Sequence, residues 1–185
     1  MGGYKSLLVY RCAVTIFDLT TEFCDTFFSH PKYRRTVEQM THAARSGKQN
    51  IAEGSKELSS ASDILLSSVS RSSYTELAED YEDFLRLNRL PLWNKDDSRA
   101  LRIRTFREII DVPTNLSNLA NWTNLDFINP ENFANLMLTL CMKQGFLLDQ
   151  FLRFKEKRFV EKGGFRENLF KKRAEYKKRE FAKFD

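Results

Sequence analysis

Proline and glycine are scarce in this chain: four and seven residues in 185. A sequence so poor in turn formers is neither a disordered linker nor a many-stranded sandwich, since both need frequent breaks. Cysteine is scarcer still, at Cys12, Cys24 and Cys141. An odd number with no C-x-x-C pair speaks against a disulfide scaffold and a zinc site; three small buried side chains in a reducing cytoplasm are expected. Histidine occurs only as His30 and His42, and neither belongs to a Ser/His/Asp or Cys/His signature, so the chain reads as a non-enzyme with no cofactor. No apolar run reaches the roughly 18 residues of a membrane span, and Lys5, Arg11 and Asp18 interrupt the N-terminal stretch. Neither a membrane helix nor a signal peptide is expected.

What is present is apolar bulk and charge. Hydrophobic residues are 42% of the chain and charged residues 30%, with 16 phenylalanines to build a core. The length suits one domain, or a small domain carrying an extension. Charge is unevenly spread: residues 151–185 hold 13 Lys and Arg against 6 Asp and Glu, a net +7, while residues 1–150 hold 17 against 19, a net −2. A basic tail on a nearly neutral body points to a polyanion or an acidic protein surface as partner.

Helical spacing of apolar residues predicts an all-α chain. Leu7, Leu8, Val14, Phe17, Cys24, Phe27 and Phe28 predict a first helix over 6–28, and Pro31 should break it. A second helix is expected over 33–58, and a third over 62–87, the latter ending in the acidic run "YTELAEDYEDFLR". A fourth, "RALRIRTFREII", follows a cap at Asp97 or Ser98. "INPEN" marks the next start, with Asn129 as N-cap and Pro130 at the first helical position. That helix should be long, about 130–162, until "KGG" stops it, and a basic terminal helix is expected over about 165–183.

The stretch "HAARSGKQNIAEGSKE", residues 42–57, places a Gly-Lys pair inside the second helix. A phosphate-binding loop needs G-x-x-x-x-G-K-[ST] after a strand, so that backbone N–H groups wrap the phosphates and a hydroxyl binds magnesium. Here His42 stands where the first glycine should be, Gln49 replaces the hydroxyl, and the pattern is helical. Small residues at Ala43, Gly47 and Gly54 instead predict close approach of a neighbouring helix, because glycine costs roughly 1 kcal/mol of helix propensity that packing must offset.

Two basic sets are candidate nucleic-acid contacts. Arg34, Arg35, Arg45, Lys48 and Lys56 lie along the second helix, where they face either phosphates or the acidic third helix. Lys171, Lys172, Arg173, Lys177, Lys178 and Arg179 lie in the tail, which either binds RNA or DNA or docks on a neighbouring subunit's third helix. The carboxylates Glu76, Glu79, Asp80 and Asp83 share one helical face without the Glu-x-x-His partners of a bundle metal site, so no metal is expected.

"AARSGKQNIAEGSKE" followed by "SSYTELAEDYEDFLRL" resembles the bacterial four-helix-bundle family first noticed in intervening sequences of ribosomal RNA genes. "NIAEG" at 50–54 is the most specific element. The resemblance covers about residues 5–110, and the remainder looks like the longer, four helix bundle suffix domain version. It implies an antiparallel up-and-down four-helix bundle over residues 1–110, a helical extension over 111–185, no enzymatic activity and a homo-oligomer, often a pentamer. A distant relation, the accessory variability determinant of diversity-generating retroelements, implies nucleic-acid binding beside a reverse transcriptase. The expectation is a cytoplasmic nucleic-acid-binding or accessory protein, RNA favoured; a self-assembling module whose tail docks on a neighbour is the alternative.

Overall fold

The structure is a computed structural model that describes residues 3–107 and 115–181. The chain is all-α, and no strand occurs among the described residues. Among the described residues seven α-helices follow in order: α1 (Leu8–Phe27), α2 (Arg34–Gly54), α3 (Ser60–Leu87), α4 (Ser98–Thr105), α5 (Leu116–Thr123), α6 (Pro130–Lys162) and α7 (Phe165–Phe181).

Local chemistry sets most of these bounds. The Ser59 hydroxyl accepts from the Ser62 amide at the start of α3, and the Asp97 carboxylate accepts from the Arg99 amide at 2.8 Å to open α4. Asn129 accepts from the Glu131 amide at 2.9 Å, with Pro130 in the first turn, where its missing N–H costs nothing. Gly163 closes α6 in the left-handed region, φ 72°. Two expected ends move. α2 stops at Gly54 rather than near residue 58, so Lys56 lies beyond it. α4 stops at Thr105, because Phe106 is extended at ψ 134°; Ile109, Ile110 and Pro113 fall outside the described residues, as do 182 and 183 at the end of the expected terminal helix.

α1, α2, α3 and α6 pack side by side, α1 on α2 and α6, α3 on α2 and α6. Neighbours run in opposite senses. Phe23 of α1 meets Phe133 at the start of α6, with ring centroids 5.2 Å apart, while the carbonyl of Val9 accepts from the Gln144 side-chain amide at 2.8 Å. Arg71 pairs with Asp149 and Asp63 with Lys155, so α3 descends as α6 ascends. Gly47 faces Tyr74 and Gly54 faces Asp63, which sets α2 against α3 in the same way. The long helix packed on α1 and α3 is therefore α6 and not the segment after Asp97. One core cluster takes its members from Val9 to Leu148, on both sides of the boundary expected at residue 110.

Every residue from Phe133 to Cys141 is buried, because α4 covers the side of α6 turned away from α1 and α3. The connection before α4 is fixed to the same helix. The Asn135 carboxamide oxygen accepts from the Trp93 amide and its nitrogen donates to the Pro91 carbonyl, while the Trp93 indole donates to Glu131. At one end of the core Phe23 sits among Phe27, Phe28, Tyr81, Phe84 and Phe133, all with centroids within 5.9 Å. Each such pair adds roughly 0.5–1.5 kcal/mol beyond the area buried.

Candidate nucleic-acid interface

The cations of the second helix are dispersed by the packing around them. Arg34 pairs with Glu38 one turn on, at 2.9 Å. Arg35 lines a groove between α2 and α3 with Glu38, His42, Glu76, Glu79, Asp80 and Asp83. Lys48 turns toward α1, its Nζ 3.6 Å above the centre of the Phe17 ring, and its charge favours the Asp18 carboxylate, which partial burial otherwise pushes up. Lys56 reaches back over the Tyr4 ring at 5.5 Å. Arg45 is exposed beside Gln49 and Glu53. These five side chains make no continuous basic row: Glu38 and Glu53 are interleaved with Arg34 and Arg45 on the outward face.

The acidic groove has its own electrostatics. Partial burial pushes the Asp80 carboxyl up to about 6, with the neighbouring charges of Asp83, Glu76 and Glu79 adding to the effect. Five carboxylates, four of them on one face of α3 and Glu38 opposite, with Arg35 alone among the lining residues carrying a fixed positive charge, make a negative patch. No group of three or more His, Cys, Asp or Glu suited to a metal ion occurs among the described residues.

The tail is arranged differently. Among the described residues α7 contributes nothing to the core, whose last packed member is Phe151. Lys171, Lys172, Arg173, Lys177, Lys178 and Arg179 are all exposed and engage no carboxylate among the described residues. At the start of the helix the Gly164 amide donates to Glu167 and Asn168 donates to the Lys162 carbonyl. Tyr176 sits in a shallow depression between Lys172, Arg173 and Lys177. The basic sequence run makes this cluster visible; Phe170 and Tyr176 stand exposed among its cations.

Burial pushes the Cys24 thiol up to about 12 and the Cys141 thiol well up, so neither is a thiolate near neutral pH. Among the described residues no helix is long and apolar enough to cross a membrane. No protein-family model, curated protein or solved structure matches this chain.

Proposed function

We propose that the protein is a non-catalytic, self-associating helical bundle that presents α7 as a basic arm to nucleic acid, RNA in the first instance. In this reading α1, α2, α3 and α6 are an up-and-down four-helix bundle, and the arm serves either alone or as an accessory to a nucleic-acid enzyme such as a reverse transcriptase. One observation carries it: six cations of α7 stand exposed and pair with no carboxylate among the described residues, whereas Arg34, Lys48 and Lys56 are engaged by groups of their own subunit. Unpaired cations on a protruding helix supply counterion release, which is the main source of affinity for a phosphate backbone. The test is a titration of labelled RNA with the intact chain and with a variant ending at Gly164.

A second reading is favoured by a separate observation. The groove of Glu38, Glu76, Glu79, Asp80 and Asp83 is complementary in charge to α7, and Leu65 and Val69 lie exposed on the outer side of α3. In that reading the tail of one subunit docks on α3 of the next and builds a homo-oligomer such as a pentamer. Sedimentation of the same two proteins separates the readings, since loss of the oligomer on truncation supports docking.

A further inference from the structure

We propose that α7 takes single-stranded nucleic acid, stacking bases on Tyr176 and Phe170 while Arg166, Arg173 and Lys177 hold the intervening phosphates; this deepens, and rests on, the reading of α7 as a nucleic-acid arm. At about 100° per residue, these five side chains and Leu169 fall within one sector of about 120° on the helix surface. Tyr176 lies along one margin and Phe170 along the other; the three cations run between them, with Glu180 as the one carboxylate of the sector, at its C-terminal end.

The rings are the informative part. Phe170 is 74% exposed and Tyr176 66% exposed, on a helix with no core to pack against. Several rings elsewhere in the chain are placed against other rings, as Phe23 is, or under a cation, as Phe17 and Trp93 are, while Phe146 and Phe154 of α6 are exposed but lie outside the basic helix. Among the described residues neither Phe170 nor Tyr176 has such a partner. A flat apolar face next to fixed positive charge is the arrangement that binds an unpaired base and its phosphate together, and it is tolerant of base identity because every base has a π-face. A duplex hides those faces within its own stack, so it would engage the cations and leave both rings in water. The sector also lacks Asn and Gln, the side chains that read adenine edges in a duplex groove. Single strands therefore use all of this surface, and duplexes only its charge.

The experiment uses the full chain and fluorescence anisotropy with three probes at one low salt concentration: an unstructured uridine-rich RNA, the thymidine-rich DNA of the same length, and a blunt duplex. The intact protein is expected to bind both single strands more tightly than the duplex. Removing the rings, Phe170→Ala with Tyr176→Ala, should weaken single-strand binding at least about fivefold per ring, since base stacking is worth roughly 1–3 kcal/mol each, and should leave duplex binding and the salt slope unchanged. Tyr176→Phe should keep full affinity. Equal loss on RNA and DNA assigns recognition to bases and phosphates; loss on RNA alone would add a 2′-hydroxyl contact to the same stacking site. Equal affinity for duplex and single strand, with no effect of ring removal, overturns stacking while leaving the arm a polyanion binder. Absence of binding to all three probes overturns the arm and the stacking together. Thermal melting of each variant should be unchanged, because α7 supports no core.

Discussion

A Cβ built on Gly47 would lie 2.6 Å from Cζ of Tyr74, closer than any side chain tolerates, and the Gly47 carbonyl accepts the Ser70 hydroxyl at 2.8 Å. The second helix thus gives up a side chain so that a fully buried tyrosine of α3 can lie against its backbone. Gly47→Ala should gain about 1 kcal/mol of helix propensity and lose more to overpacking, for a net loss of about 1–2 kcal/mol. Urea denaturation of Gly47→Ala, alone and with Tyr74→Leu, checks this: the double variant should recover part of the loss, and additive losses would contradict the contact.

The Tyr74 hydroxyl is buried with no hydrogen-bond partner among the described residues. Removing it costs no bond and relieves a desolvated group. Tyr74→Phe is expected to melt at the same temperature as the unaltered chain or higher, as followed by circular dichroism.

At the far end of the same helix pair Gly54 lies 2.7 Å, measured from a built Cβ, from the Asp63 carboxylate. That carboxylate takes the Lys155 ammonium from α6, which also donates to the Ser67 hydroxyl and lies 4.0 Å from the centre of the Phe151 ring. Asp63→Ala would leave Lys155 mostly buried without its counter-charge, and a loss of about 2–3 kcal/mol is expected. Asp63→Ala combined with Lys155→Met should cost less than the single change, a comparison that denaturant midpoints decide.

Stability should depend on pH through the acidic groove. The folded-state pKa of Asp80 is raised to about 6 from 3.8, so the folded chain holds this proton more tightly than the unfolded chain does. Its contribution is therefore fully present below pH about 4 and is lost as pH rises through about 6. Asp80→Asn should raise stability at pH 8 by about 1 kcal/mol, after discounting for solvent screening of a half-exposed group. It should also flatten the dependence of melting temperature on pH between 4 and 7.

Much of this architecture was legible residue by residue. Asn129, Pro130 and Gly163 define α6 through backbone groups that a helix end leaves free, and such chemistry is local. The close approach at Gly47 was readable because glycine in a helix needs a compensating contact. Which helices pack together was harder, since helical spacing gives a face and not its partner. One signal was available: "FANLMLTLC", residues 133–141, is apolar almost all round, which marks a helix enclosed on every side. The candidate site divided similarly. The tail's charge could be counted, whereas the neutralising of Arg34 by Glu38 and the turning of Lys48 onto Phe17 depend on geometry that spacing alone does not carry.

Because no core residue lies beyond Phe151 among the described residues, a chain ending at Gly164 should fold and melt as the intact one does, which allows a direct test of α7. Labelled single-stranded and structured RNA would be titrated with both proteins at several salt concentrations. The intact chain is expected to bind at low salt, with log K falling against log[salt] at a slope of about −4 for six phosphates on a single strand, and the shortened chain is expected not to bind. Undiminished binding by the shortened chain, or no binding by the intact chain at low salt, would contradict the assignment of α7 as the nucleic-acid arm.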